Sequence, residues 1–257
     1  MIWKKESLTA LLISIICSVV PAIANAMSVQ PLIVDMKVGT RGNSGRIAVT
    51  NTFGRAVPVE VTIHPMAVAP TGEVSIGGPP TRDFLIFPPT AVIQPGRTQA
   101  FRLQWLGNAS MTTSANYVVS IAQVPVELGE TQSGIQLVYN FQIMANVAPA
   151  TGAPSLAITR ALARANEKGE ARASITINNS GPAHAYLAGT RLKLSLKNRE
   201  GRVIWERLYD GTQLNAMIGY GLIRQRHDRT FDIPIDAPVA SLSGLFSAEI
   251  LGYDGLR

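Results

Sequence analysis

The side chains able to do chemistry in this sequence are few and scattered. Three histidines, His64, His184 and His227, fall in separate predicted segments. They lack the spacing of metal ligands, so each is expected at a surface or in a turn. Cys17 is the sole cysteine, which excludes a disulfide framework and a thiolate zinc site. The bulky Ile16 before it does not fit a lipid-attachment signal. Gly72 and Gly77-Gly78 sit in proline-rich turns, so no phosphate-cradling loop follows a strand. A Ser-His-Asp order exists, but no nucleophile elbow accompanies it. The run Arg224-Gln225-Arg226-His227-Asp228-Arg229 is a short basic cluster, read as a solvated loop or as an electrostatic contact for a partner. Catalytic residues, cofactors and metals are therefore not expected, and the chemistry that remains is binding.

The clearest candidate for binding is Gly134 to Pro149. Its odd positions are Ile135, Leu137, Tyr139, Phe141, Ile143, Ala145 and Val147. Its even positions are Gln136, Val138, Asn140, Gln142, Met144, Asn146 and Ala148. Successive strand residues face opposite ways, so one face is an apolar row and the other largely polar. Thirteen residues at ~3.4 Å each would reach roughly 44 Å, longer than a usual strand. The bland alternative is that the row faces its own core. Against it stand the length, the terminal place in its domain and the uncharged, Asn/Gln-rich second face. Proteins normally avoid a long apolar edge strand, so keeping one points to pairing with another chain.

The elements that must hold this strand are also strands. Arg46-Ile47-Ala48-Val49-Thr50 and Val57 to Ile63 alternate across an Asn51-Thr52-Phe53-Gly54 turn. Thr98 to Trp105 alternates after Pro95-Gly96, and Tyr117 to Val124 closes at Pro125. Later segments, Ala173 to Ile177, Ala185 to Lys197, Val203 to Trp205 and Arg229 to Ile235, behave alike. A short helical turn is expected within 206–218. Turn signals recur at intervals of roughly 8–12 residues, the pattern of an all-β sandwich.

The 257 residues are 46% hydrophobic and 16% charged, a composition that excludes disorder and collagen. Residues 1–26 read as a secretory signal peptide: Lys4 and Lys5, an apolar run from Leu8 to Ile23, then Ala24-Asn25-Ala26 for cleavage, with an uncleaved anchor as the alternative that the short run disfavours. No second apolar run is long enough to span a membrane. Export without cysteines in the mature chain fits a bacterial periplasm, with a secreted product as the alternative. Pro149 to Pro154 divides that chain, giving a first domain 27–149, a linker 150–153 and a second domain 154–257. Residues 27–153 carry 7 basic and 6 acidic residues, and 154–257 carry 14 and 10. A charge-poor first half suggests an apolar surface in use. The net charge of +6 lies mostly in the second half without aromatic interleaving, which disfavours nucleic acid.

The ordered blocks resemble the PapD-like periplasmic chaperones of the chaperone–usher pilus pathway. The resemblance runs through Phe84-Leu85-Ile86-Phe87-Pro88-Pro89, Ile93-Gln94-Pro95-Gly96 and Gln99 to Gly107. It continues through Tyr117 to Pro125 and Gly134 to Phe141, and more weakly at Asn178 to His184. It implies two immunoglobulin-like β-sandwiches in series, in an L-shaped arrangement. It also implies a non-enzymatic protein that binds, folds and caps fimbrial subunits by donor-strand complementation, then delivers them to an outer-membrane usher. The donated strand, G1, would offer Ile135, Leu137, Tyr139, Phe141 and Ile143. Five such side chains, at ~1.5–3 kcal/mol each, give roughly 7–15 kcal/mol before ordering costs.

The sequence departs from the best-known branch at one point. There an Arg of the first strand and a Lys of G1 grip the subunit's C-terminal carboxylate. Here Met144 falls at the Lys position, and Val29 to Val38 carries Asp35 and Lys37 but no Arg. The pattern is closer to the archaic branch. Arg102, a charge on a regular strand of a charge-poor domain, is the candidate carboxylate anchor, with a salt bridge inside the protein as its alternative. Arg97 reads as a solvated turn residue. Two other functions fit less well: an exported two-sandwich structural or pilin-type subunit, since such subunits usually carry one incomplete domain, and a secreted hydrolase on a β scaffold, which requires convergent polar groups.

Overall fold

The computed structural model describes residues 27–39, 42–125 and 138–256. The predicted signal peptide lies outside the described residues, as do Ile135 and Leu137 of the apolar row. The chain is all-β, with two sandwiches in series and a single α-helix among the described residues.

The first sandwich is built from ten strands: β1 Met27–Gln30, β2 Ile33–Lys37, β3 Ser44–Asn51, β4 Val57–Val68, β5 Val74–Ile76, β6 Phe84–Phe87, β7 Thr90–Ile93, β8 Thr98–Trp105, β9 Ala115–Gln123 and β10 Asn140–Ala148. One sheet has the order β1-β3-β8-β6. The other has the order β2-β10-β9-β4-β5, with β7 also on β4. The first strand expected from sequence is thus two, because the chain changes sheets at Pro31-Leu32. Alternation decides what each strand buries. Val57, Val59, Val61 and Ile63 of β4 point inward, as do Ile47 and Val49 of β3 and Phe101, Leu103 and Trp105 of β8. With Ile121 of β9 and Ile143, Ala145 and Val147 of β10 they form one core.

The second sandwich pairs β11 Leu156–Ala165, β12 Ala171–Asn179 and β17 His227–Pro234 in one sheet. The other sheet holds β15 Val203–Tyr209, β14 Thr190–Lys197 and β18 Leu245–Tyr253. A two-stranded pair, β13 Ala185–Tyr186 and β16 Leu222–Ile223, completes it. The predicted strand Ala185 to Lys197 is therefore broken, by a 3-10 turn at Leu187–Gly189. The expected helical turn is α1, Gly211–Ile218, where Asp210 accepts from the Gln213 backbone and Gln213 reciprocates. That capping box satisfies two orphan donors at the helix start.

The two sandwiches touch through a small apolar cluster of Met66, Val68 and Val118 against Tyr186 and Leu222, with Met144 of β10 packed on it.

Candidate functional site

The apolar row of β10 is split by its surroundings. From Met144 to Val147 the strand is flanked on both sides, parallel to β2 over Ile33 to Met36 and antiparallel to β9. From Asn140 to Ile143 it pairs with β9 alone, opposite Ala122 to Val119. Among the described residues, nothing pairs with the other edge of that stretch. Its unpaired backbone groups are the feature that invites another strand.

Side chains change character along the same line. Ile143, Ala145 and Val147 are fully buried in the sandwich's own core. Ile143 is thus committed at home, because exposing it would empty a site in a close-packed interior. Phe141 is half-buried against that core. Tyr139 is also half-buried, with its ring 5.5 Å from that of Phe53 and stacked 6.2 Å from Phe141. Val138 is exposed. The row therefore grades from core to solvent toward its N-terminal end.

The opposite face of β10, predicted to be polar, does two things. Asn140 and Gln142 are exposed, with the Ser120 hydroxyl donating to Asn140 Oδ1 at 2.7 Å. Asn146 is fully buried at the junction of the sandwiches. It accepts from Asn116 Nδ2 at 2.8 Å and donates to the Tyr186 hydroxyl at 2.6 Å. That hydroxyl donates in turn to Asp35 Oδ1 at 2.6 Å. His184 Nε2 lies 3.2 Å from the same oxygen, and its Nδ1 2.9 Å from Ser114 Oγ. A carboxylate only accepts, so the Nε2 proton faces Asp35. Gln225 Nε2 donates to the Ser114 carbonyl, and the Ser114 amide donates to the Pro182 carbonyl at 2.9 Å.

Charge follows geometry at this junction. Burial pushes the Asp35 carboxyl up, but His184, through its hydrogen bond and charge, together with Tyr186 and Asn146, holds it below its ordinary value of 3.8. The Asp35 side chain remains 40% exposed, so water screens part of the attraction. Burial and the nearby Asp35 raise the Tyr186 phenol, favouring its neutral, donating form.

The structure corrects three expectations. His184 is not at a surface but buried in this junction. His64 is not in a turn but half-buried on β4, with Nδ1 3.2 Å from the Gly78 carbonyl. The basic run 224–229 is not wholly solvated. Arg224 and Arg229 are half-buried, and the Arg229 guanidinium lies 5.2 Å from the centre of the Phe231 ring. Its neighbour Thr230 donates to the Pro70 carbonyl of the first sandwich at 2.8 Å. Among the described residues no three His, Cys, Asp or Glu side chains converge as a metal site requires. No helix there is long and apolar enough to cross a membrane.

Arg102 is exposed on β8, in the sheet that does not contain β10. The structure does not bring it to Tyr139, Phe141 and Ile143. It brings it directly opposite Arg46 of β3. Sequence reasoning did not single out Arg46 as a site residue. The signal was available, since both arginines occupy outward positions of neighbouring alternating strands.

No family model matches the chain, and no curated protein matches it. Solved structures do match. The class 5 fimbriae chaperone CfaA superposes with a TM-score of 0.53 at 16% identity, over 87% of this chain and 99% of that one. A chain of a chaperone–tip adhesin complex of CFA/I fimbriae biogenesis gives 0.52 at 16% identity, over 87% of this chain and 98% of that one. The protein has the fold of the fimbrial chaperones. Within that fimbrial-chaperone fold the half-open strand β10 closes the first sandwich, and the Asp35 network sits where the second sandwich meets it.

Proposed function

We propose that the protein is a periplasmic chaperone for fimbrial subunits, holding each subunit on the open edge of β10 and handing it to an outer-membrane usher. The observation that carries the reading is the strand edge from Asn140 to Ile143, which pairs with β9 on one side only and carries the half-buried Phe141 and Tyr139 beside it. The likeness in fold to fimbrial chaperones, one of them in complex with a tip adhesin, supports it. The order of residues 1–26 supports export to the periplasm.

In this reading the subunit adds a strand along β10, and backbone hydrogen bonds set its register. Tyr139 and Phe141 fill its groove together with Leu137 and Ile135, which precede them in the same alternation. Four large side chains at ~1.5–3 kcal/mol each supply roughly 6–12 kcal/mol gross. Ordering of the subunit offsets part of that. Ile143 serves differently: it roots the strand in its own core while its backbone stands at the edge. No covalent step or cofactor is involved.

The test is co-expression with a candidate subunit and recovery of the complex from the periplasm. Phe141→Glu and Leu137→Glu should abolish recovery while circular dichroism of the variant is unchanged. Wild-type recovery from either variant overturns the reading. Self-assembly of the purified chain, lost in the same variants, would favour a structural subunit instead.

A further inference from the structure

The outward face of the β1-β3-β8-β6 sheet carries a pair of charges that no described residue balances. Arg46 and Arg102 are direct cross-strand partners and both are exposed. Like charges set directly opposite destabilise a sheet. Neither forms an ion pair or hydrogen bond among the described residues. The register places only Ser28, Gln30, Ser44, Ala48, Thr50, Leu85, Phe87, Thr98, Ala100 and Gln104 around them on that face, and none is acidic.

Apolar side chains bracket the pair. Phe87, 71% exposed, sits opposite Arg102 on its other side. Leu32, 55% exposed, lines a shallow groove with Arg46, Pro31 and Tyr220 of the second sandwich. Leu85, 54% exposed, adjoins Phe87 on β6. The row across the sheet is thus Phe87, Arg102, Arg46 and the Leu32 groove. At ~4.8 Å per strand it spans roughly 14 Å, the reach of four or five extended residues.

We propose that this face is a second binding surface, which takes an acidic segment of a partner protein flanked by apolar residues. Two guanidiniums side by side suit planar carboxylates, which they can grip in bidentate fashion. Binding there removes the repulsion between Arg46 and Arg102, so part of the gain is relief of an existing cost. The apolar ends give the segment somewhere to bury its own apolar side chains. A membrane surface is the weaker candidate, since lipid-binding patches gather about four to eight basic residues and this face has the one pair. The surface lies on the other sheet from β10, so both could be occupied together.

The probe is an end-blocked octapeptide with a central Glu-Glu pair flanked by leucines, titrated into the purified protein and followed by backbone amide NMR. Saturable shifts should cluster at Leu32, Arg46, Phe87 and Arg102, and weaken between low and physiological salt. Arg46→Gln and Arg102→Gln should each reduce affinity at least ~10-fold, as should Gln-Gln in the peptide. Exchanging charges, with Arg46→Glu and Arg102→Glu against a Lys-Lys peptide, should restore binding. Phe141→Glu should leave the peptide bound as before, which separates failure here from failure of the strand-donor reading. Three results overturn the proposal: no saturable shifts, equal binding of the Gln-Gln peptide, or shifts confined to β10. Tight binding to phosphatidylglycerol vesicles without peptide binding also overturns it and assigns the face to a membrane.

Discussion

Replacing Tyr186 by Phe removes one oxygen from the junction and nothing else. That hydroxyl lies 2.6 Å from Asp35 Oδ1 and 2.6 Å from Asn146 Nδ2, so it joins β2 and β10 to the second sandwich. Without it the Nδ2 donor of the fully buried Asn146 keeps only the 3.4 Å approach to Asp35, while its Oδ1 still accepts from Asn116. A hydrogen bond to a charged group is worth about 1.5–3 kcal/mol, and a buried donor left unpaired costs about 1–3 kcal/mol. Asp35 is 40% exposed, so water replaces part of the loss, and we expect about 1–2 kcal/mol in all. The assay is urea unfolding read from the two tryptophans of the described residues. Trp105 lies in the first sandwich and Trp205 in the second. With Trp105→Phe and Trp205→Phe backgrounds each sandwich reports alone. A slope near 2 kcal/mol per molar converts the loss to a midpoint shift of roughly 0.5–1 M. Because the lost contacts bridge the sandwiches, the two midpoints should also move apart. Asp35→Asn in the same series should be non-additive with Tyr186→Phe, since both act on one bond. Strict additivity, or a shift below about 0.2 M, would refute the claim that this network couples the sandwiches.

Other consequences are simpler. Ile143→Ala should cost about 2–5 kcal/mol at the Trp105 reporter, whereas Phe141→Ala, half-buried, should cost clearly less; equal losses would contradict the division of the row. Asp35 titrates below 3.8 in the fold, so its stabilising share is complete above that value and disappears as pH falls through the lowered one; Asp35→Asn should remove that part of the acid limb of a stability–pH curve, and an unchanged limb would count against it. The Tyr186 phenol is raised, so its share holds below 10.0 and is lost as pH rises past it, an alkaline limb that Tyr186→Phe should reduce. Gly181→Ala should destabilise the second sandwich, because a Cβ there overlaps the Ala153 carbonyl and the Ser155 amide; an unshifted Trp205 midpoint would show that the backbone yields.

Much of the architecture was legible because strands write themselves in alternation. Val57 to Ile63 and Thr98 to Trp105 are strands where expected, with the apolar positions inward. Strand β11, Leu156–Ala165, carries no clear strand signal: its residues mix Ala, Arg and Thr, and its burial is too partial to impose a clean period. The break at Leu187–Gly189 is hidden in the sequence because Ala185 to Lys197 keeps an apolar pattern through a turn. Of the candidate site, the sequence shows the alternation alone. Tyr139 and Phe141 stood out by spacing, but spacing alone could not say that Ile143 goes to the core while Phe141 lies at its margin.

The sequence by itself determined that the described chain would be two β-sandwiches and that β10 would have one apolar and one polar face, because a period of two is a local property. The tertiary structure decided what covers each face. His184 stands 149 positions from Asp35, and Tyr186 stands 40 from Asn146, so no local pattern could join them. Arg46 and Arg102 became neighbours only through the register of β3 against β8. Strand alternation orients a side chain, whereas the partner it meets is fixed by pairing between segments far apart in the chain.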